Sequence, residues 1–186
     1  MKQIIAIVGP LASGKGALIT LLEKKGYSVL SLSGEVREKT NLWGLDQTRE
    51  NLQNVGDKLR KSFGPAILAE LIGQKISPHQ KFVIDGIRNP AELSYLQKTF
   101  HAFTIAITAT PEKRFEMMKK RGRVGDPTTW EEFKKAEERD RGIGQESFGQ
   151  QVEACVKMAD VVLDNNGTYE QFEQNLTYFL PKIIEE

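Results

Sequence analysis

The chain alternates short apolar runs with longer amphipathic segments. The apolar runs predict five strands, at residues 4–8, 27–32, 82–86, 103–108 and 161–163. The first run is apolar at every position, as expected for a central strand whose two faces are both buried in a parallel sheet. Strands that alternate with helices in this way predict an α/β fold with a mostly parallel sheet and right-handed crossovers.

The segments between the strands carry helix signals. Thr129 and Glu132 have the spacing of a capping box, and Asn89-Pro90 and Thr110-Pro111 each place a capping residue before a proline. The charged, glycine-containing stretch 119–127 lacks apolar periodicity and predicts a loop. Helices are predicted at 14–25, 33–37, 48–63, 66–76, 129–141, 150–158 and 169–180. Two more are predicted to start at residues 90 and 111, and a further loop is predicted at 41–47.

Length and composition are those of one globular domain. The chain has 186 residues, of which 39% are hydrophobic and 27% charged, which is enough for a sizeable core. Its 26 basic and 25 acidic side chains give a net charge of +1. This balance argues against a general nucleic-acid surface, but it leaves room for a local basic site. The composition leaves open whether the protein binds a protein partner.

Targeting and redox signals are few. No apolar run approaches the roughly 20 residues of a membrane span, and the first strand begins too early for a cleaved signal peptide to precede it. The single cysteine, Cys155, cannot form an internal disulfide or a cysteine-based metal cluster. We therefore expect a cytoplasmic protein that does not cross a membrane.

The first strand runs into Gly9-Pro10-Leu11-Ala12-Ser13-Gly14-Lys15-Gly16, and an amphipathic helix follows. The spacing G-x-x-x-x-G-K between a strand and a helix is typical of a phosphate-binding P-loop (Walker A motif), with Gly16 in place of the usual Ser or Thr. Glycines let backbone N–H groups turn towards a phosphate, the helix presents its positive end, and Lys15 adds a full charge. Nucleotide contacts are predicted for Gly9, Ala12, Ser13, Gly14, Lys15, Gly16 and Ala17.

Asp85 ends the third predicted strand, and the carboxyl ends of parallel strands face the ligand crevice of an α/β sheet. A carboxylate beside a P-loop can hold Mg²⁺ directly or through water. Because neither Gly16 nor Ala17 has a hydroxyl, we expect Mg²⁺ to be held mainly by nucleotide phosphates, water and Asp85. The alternative is an Asp that only caps the following turn.

Arginines lie at other loop junctions and in the charged stretch. Phosphoryl transfer needs such side chains, because bidentate guanidinium groups stabilise the charge on the moving phosphate. Each alone is as consistent with a solvated surface charge, but their shared placement predicts one anionic site. These arginines are Arg37, Arg88, Arg121, Arg123, Arg139 and Arg141.

These motifs resemble the adenylate kinase and nucleoside monophosphate kinase family of P-loop proteins. Gly14-Lys15-Gly16 matches the G-K-G ending of that family's loop. Residues 84–88, Ile-Asp-Gly-Ile-Arg, resemble its D-G-F-P-R motif, with Arg88 one residue closer to Asp85. Residues 33–37 resemble the family segment that ends in an acceptor-phosphate arginine.

Further segments carry the same resemblance. Residues 121–126 resemble a shortened lid, and residues 160–167 are similar to the last strand and adenine-contacting loop of dephospho-coenzyme A kinases. Ala17 replaces the usual Thr, and Met117 stands where the family often has an adenine-stacking arginine. The whole combination is most similar to small adenylate-kinase-like proteins found chiefly in archaea.

The resemblance implies a three-layer α/β/α P-loop NTPase fold with a five-stranded parallel sheet in the order 2-3-1-4-5. It implies one kinase domain over residues 1–186, with an acceptor-binding helical segment at about 33–76 and a lid at about 119–145. It also implies phosphoryl transfer from ATP, with Mg²⁺, to the phosphate of a small nucleotide such as a nucleoside or deoxynucleoside monophosphate.

Roles for individual residues follow from the resemblance. The catalytic set is Lys15, Arg88, Arg121, Arg123 and Arg139. The remaining roles add Asn166 and Gly167 to the ATP site, Arg37, Arg88 and Arg141 to the acceptor site, and Asp85 to the metal site.

Three other functions remain open at the level of sequence. A dephospho-coenzyme A kinase would use a hydroxyl acceptor and would recast Asp85 as its base. A nucleotide-switched ATPase would use the lid and the helix carrying Arg49 and Arg60 to bind a protein or RNA. A polynucleotide 5′-kinase is disfavoured by the near-neutral charge.

Overall fold

The computed structural model describes residues 2–123 and 125–185. At its centre lies a five-stranded sheet in the order β2-β3-β1-β4-β5, and every pairing of neighbouring strands is parallel. The predicted α/β class and strand order are confirmed. The strands are β1 (Ile4–Val8), β2 (Ser28–Ser31), β3 (Phe82–Asp85), β4 (Phe103–Thr108) and β5 (Val161–Asp164).

Helices cover both faces of the sheet. Within the described ranges, none of them is long and apolar enough to cross a membrane. They are α1 (Lys15–Lys24), α2 (Leu32–Leu42), α3 (Arg49–Phe63), α4 (Ile67–Gly73), α5 (Pro90–Phe100), α6 (Pro111–Arg121), α7 (Trp130–Arg141), α8 (Val152–Lys157) and α9 (Tyr169–Glu185).

The central strand β1 contributes to both halves of the core. Its alternate residues Ile5 and Ile7 pack in one cluster with α1 and α9. Ile4, Ala6 and Val8 pack in the other, with α2 to α5 and α8. Because neighbouring side chains of a strand point to opposite faces, an all-apolar strand produces the three layers of helix, sheet and helix.

The predicted helix starts are confirmed by their capping contacts. Asn89 and Glu92 form a capping box at the start of α5, and Thr129 and Glu132 form one at the start of α7. Each box satisfies backbone N–H groups that have no partner within the helix.

Two helices are longer than predicted. The short helix expected at 33–37 extends over Leu32–Leu42, because Leu32, Val36 and Thr40 are buried at four-residue spacing on one face. The last helix was expected to end at 180, before Pro181, but it continues to Glu185. There Ile184 is buried, and its carbonyl accepts a hydrogen bond from Lys2 N at 2.8 Å.

The parallel arrangement brings the ends of β1, β2 and β3 to one edge of the sheet. Ser31 at the end of β2 is the register partner of Asp85 at the end of β3. Gly86 then passes so close to the next segment that a Cβ would lie 2.6 Å from Ser33 N. The candidate site lies along this edge.

Candidate active site

The loop after β1 wraps around the amine of Lys15. Lys15 Nζ donates to the carbonyl oxygens of Gly9 at 2.7 Å and of Pro10 at 2.9 Å. Gly9 and Gly14 have φ angles of 143° and 101°, and a Cβ at either position would lie 2.2 Å from another atom. Both positions therefore require glycine. Since α1 begins at Lys15, the free N–H groups of its first turn belong to the same loop.

Burial changes the acidity of the loop amine. It lowers the pKa of Lys15 from 10.5 to about 8, and the nearby charges of Arg88 and Arg49 act in the same direction, while Asp85 and Asp140 raise it. The amine is thus held by carbonyl dipoles in a poorly hydrated place, where a phosphate would be a strong partner.

Asp85 lies at the end of β3 and lines the cavities on both sides of Lys15. Its Oδ1 atom is buried and receives no hydrogen bond from the described residues. A buried carboxylate oxygen without a partner is costly, and a hydrated cation would satisfy it. Among the described residues, no group of three or more His, Cys, Asp or Glu side chains could hold a metal ion. Asp85 therefore fits Mg²⁺ only together with phosphate and water oxygens.

On one side of Lys15 lies a cavity of about 540 Å³, here called the donor cavity. Asn165 braces it, because its Nδ2 atom donates to Ser13 O at 2.9 Å. Met117 Sδ lies 3.7 Å from the same Nδ2 atom. The donor cavity is lined by P-loop residues 12–17 and, from the C-terminal part of the chain, by Met117, Asn165, Gly167, Tyr169 and Phe172, among others.

Two predicted nucleotide contacts lie outside this lining. Gly9 forms the back of the loop and packs against Ile107 O. Asn166 accepts a hydrogen bond from Thr110 N at 2.8 Å and donates to the Asp164 carboxylate at 2.5 Å. The neighbouring Asn165, one residue earlier than predicted, faces the P-loop instead.

On the other side of Lys15 lies a cavity of about 150 Å³, here called the acceptor cavity. Its lining includes the predicted Arg37 and Arg88, and also Arg49. Arg37 Nη1 donates to Gln47 Oε1 at 3.2 Å. At roughly 30 Å³ for each water molecule, the space holds roughly five water molecules.

The two cavities share part of their lining. Ala12, Lys15, Asp85, Arg121 and Arg123 line both of them. A lysine, an aspartate and two arginines therefore stand between a space beside the P-loop and a space lined by further arginines. This is the arrangement needed to stabilise a group that passes from one cavity to the other.

Arg88 is fixed by two carboxylates. Its backbone N–H donates to Glu92 Oε2 at 2.8 Å, and its Nη1 donates to Asp140 Oδ1. Glu92 is fully buried and also forms an ion pair with the buried Arg60, with Nε and Oε1 2.7 Å apart. The backbone of Arg88 thus depends on an ion pair whose arginine, Arg60, also lines the acceptor cavity.

The predicted lid arginines divide into two groups. Arg121 faces the cavities and holds Asp126 with two hydrogen bonds of 2.8 and 2.9 Å. Arg139 and Arg141, which were expected to join the site, do not line either cavity in this structure. Arg139 pairs with Asp57 at 2.7 Å, and Arg141 pairs with Glu153 at 3.0 Å on the surface, because the last turn of α7 points these side chains at α3 and α8.

Several residues of the site were not predicted. Asp140 is buried and contacts Arg88 and Arg49, although it lies in a run of charged residues that resembles a solvated helix face. The helix with Arg49 and Arg60 presents these two side chains inward, towards the acceptor cavity. Asn165, beside the predicted Asn166, could have been found only by allowing the loop register to shift by one.

Arg114 was also missed, and it connects the P-loop to the helix behind the lid. Its Nη1 donates to Leu11 O at 3.2 Å, and its Nη2 donates to Glu137 of α7. Both side chains are buried. The sequence shows Arg114 only as one charge in the polar first turns of α6.

Comparisons of the sequence identify relatives along the whole chain. The AAA domain family matches residues 8–134. A UPF0200 protein of Pyrococcus abyssi is 32% identical over 98% of this chain and 97% of its own length. A UPF0200 protein of Thermococcus kodakarensis is 35% identical over 98% of both chains.

Comparisons of the structure identify kinases with the same fold. A shikimate kinase from Bacteroides thetaiotaomicron has a TM-score of 0.60 at 14% identity, covering 98% of each chain. A dephospho-CoA kinase from Campylobacter jejuni has a TM-score of 0.57 at 15% identity, covering 100% of this chain and 98% of its own. At these identities the likeness shows the fold alone, which is that of P-loop kinases.

Proposed function

We propose that the chain, which belongs to the UPF0200 family and to the AAA domain family of P-loop proteins, is an ATP-dependent kinase. Its acceptor is the phosphate of a small nucleotide. The main support for this proposal is that Lys15, Asp85, Arg121 and Arg123 line both the donor cavity and the acceptor cavity. A hydrolase needs only the first cavity and a water molecule. A second cavity lined by arginines supports an anionic acceptor.

On the donor side, the ATP phosphates occupy the P-loop and the adenosine lies towards Asn165 and Gly167. The amine of Lys15 exchanges the carbonyls of Gly9 and Pro10 for phosphate oxygens, and its charge then stabilises the group that is transferred. Asp85 would hold Mg²⁺ directly or through water. The bound ion would neutralise part of the charge on the phosphates.

On the acceptor side, Arg37 and Arg88 hold the phosphate of the second nucleotide in line with the donor. A phosphate monoester dianion is already a nucleophile, so this reaction needs no general base. The chain's own contribution is to position the two phosphates and to exclude water from the junction between them.

We propose residues 33–76 as the acceptor segment and 119–145 as the lid of a single domain. Arg121 and Arg123 act on the transferred group, and Arg121 must first release Asp126. Arg139 and Arg141 would need α7 to move before they could reach either cavity, so we leave them out of the proposed site. Val124 of the predicted lid lies outside the described residues.

The test is acceptor dependence. ADP release from ATP is measured with AMP, CMP, UMP, GMP, the deoxynucleotides and dephospho-coenzyme A, with the Lys15→Ala variant as background. We expect one or more monophosphates to raise the rate at least tenfold. An equal rate with and without every acceptor would contradict a kinase and favour a nucleotide-switched ATPase.

A kinase with a hydroxyl acceptor, such as a dephospho-coenzyme A kinase, is the second candidate. The unpartnered Oδ1 atom of Asp85 favours it, because that oxygen could accept the proton of a hydroxyl. Asp85→Asn separates the two. With a phosphate acceptor, saturating Mg²⁺ restores most of the turnover, whereas with a hydroxyl acceptor the loss of the base persists at every Mg²⁺ concentration.

A further inference from the structure

We propose that Arg49 is a phosphate-binding residue of the acceptor cavity, which makes it the third arginine to contact the acceptor's phosphate, with Arg37 and Arg88. The inference rests on the proposed function, since it takes the acceptor to be a phosphate monoester. No motif in the sequence marks Arg49 for this role. We assign this role to Arg49 because its guanidinium nitrogens Nε and Nη2 are buried and make no hydrogen bond with the described residues, and because Arg49 begins α3.

The guanidinium group of Arg49 lacks partners that it needs. Its Nε and Nη2 atoms are buried and make no hydrogen bond with the described residues. The nearest carboxylate oxygen, Asp140 Oδ1, lies 3.5 Å from Nη2, whereas a charge-assisted hydrogen bond is about 2.7–2.9 Å long. A buried charged donor without an acceptor is strongly unfavourable. An anion in the cavity would supply the missing acceptors.

The position of Arg49 in its helix is also unfavourable without a ligand. Arg49 is the first residue of α3, directly after the capping residue Thr48. The N-terminus of a helix carries a partial positive charge, so a cation there is repelled and an anion is attracted. Thus the helix end and the guanidinium oppose each other, but both attract a phosphate that enters the acceptor cavity.

The surrounding charges fit a dianion. Arg49 and Arg88 flank the same carboxylate, that of Asp140, which can offset only one of them. Burial and the proximity of Arg88 lower the pKa of Arg49 to about 10, against the influence of Asp140 and Asp126. Arg37, Arg49 and Arg88 carry three positive charges against the one negative charge of Asp140, so this part of the cavity has an excess of positive charge, which favours a phosphate of about −1.5 to −2 at neutral pH.

The test is a binding measurement that requires no turnover. The P-loop is first saturated with a non-hydrolysable ATP analogue, and inorganic phosphate and AMP are then titrated by calorimetry. The variants are Arg49→Gln, Arg49→Lys, and Lys61→Gln as the matched control, because Lys61 is an exposed cation of the same helix. Thermal melting checks that each variant is folded.

We expect Arg49→Gln to weaken binding of both anions at least tenfold, while the affinity for the ATP analogue changes less than twofold. Arg49→Lys, which keeps the charge but loses the planar fork, should lie between Arg49→Gln and the wild type. Lys61→Gln should bind as the wild type does. Binding to Arg49→Gln equal to that of the wild type would overturn this inference and leave the kinase proposal intact. Failure of the wild-type protein to bind either anion would also overturn this inference, and the acceptor-dependence assay then decides the kinase proposal separately.

Discussion

Glu92 connects the stability of the fold to the position of Arg88. One carboxylate oxygen accepts from Arg60 Nε at 2.7 Å, and the other accepts from the backbone N–H groups of Arg88 and Asn89 at 2.8 and 3.0 Å. Both ionic side chains are essentially excluded from solvent, at 1% and 0% exposure. Glu92→Gln keeps the shape but removes the charge and places an NH₂ group against a donor.

Breaking a buried ion pair by removing one partner costs about 3–5 kcal/mol. In a domain of this length each kcal/mol lowers Tm by about 2–4 °C, so Glu92→Gln should lower Tm by roughly 6–20 °C, and by the lower part of that range because Arg60 keeps Asp57 at 3.3 Å. Solvent does not screen the attraction between Arg60 and Glu92, because both side chains are buried. Since the NH₂ group must face either Arg60 or the backbone of Arg88, the segment that carries Arg88 loses part of its support, and the KM for the acceptor nucleotide should also rise while the KM for ATP changes little.

The Tm of Glu92→Gln is measured by calorimetry or by circular dichroism. Glu153→Gln is the control, since Glu153 pairs with Arg141 at a site where both side chains are almost half exposed, and its loss should cost less than about 1 kcal/mol. A Glu92→Gln protein that melts within about 2 °C of the wild type would refute the reasoning, because the buried pair would then be contributing almost nothing.

Two further predictions concern Lys15. Lys15→Ala should lower phosphoryl transfer by at least about 10²-fold, the effect of losing one fixed donor to a transition-state charge, while circular dichroism shows a folded protein; unchanged ADP release would overturn the P-loop assignment. The pKa of about 8 predicts a pH dependence of ATP binding. The free amine loses its proton at lower pH than the usual 10.5, whereas bound phosphate favours the charged form, so binding takes up a proton above pH 8. The Kd measured by titration should therefore rise by up to about tenfold per pH unit above pH 8, and a Kd that stays constant between pH 7 and pH 9.5 would contradict it.

The sheet could be predicted because its signals are local. An apolar run such as 4–8, a loop that needs Gly9 and Gly14, and a capping box such as Asn89 to Glu92 each act within a few residues of sequence. Short-range patterns of this kind specify an element wherever the element lies. The strand order came from resemblance to a known family, because periodicity alone does not say which parallel strands are neighbours.

The acceptor side could not be predicted to the same depth, since its contacts join distant parts of the chain. Arg88 meets Asp140 across 52 residues, and Arg139 meets Asp57 across 82. Whether an arginine faces a cavity or a carboxylate depends on the packing of α3 against α7. The length of α9 was missed for a related reason, because burial of Ile184 outweighs the helix-breaking tendency of Pro181.

The central claim is that the phosphoryl group moves across the junction at Lys15 and Asp85 onto another phosphate. The most direct measurement follows the label from ATP that is radioactive at the γ-phosphate, with each nucleoside monophosphate in turn and separation of the products. We expect label in the β-phosphate of a nucleoside diphosphate with the wild-type protein, and no labelled diphosphate with Lys15→Ala. Label found only in inorganic phosphate, or only in a phosphomonoester formed on a hydroxyl, would contradict it.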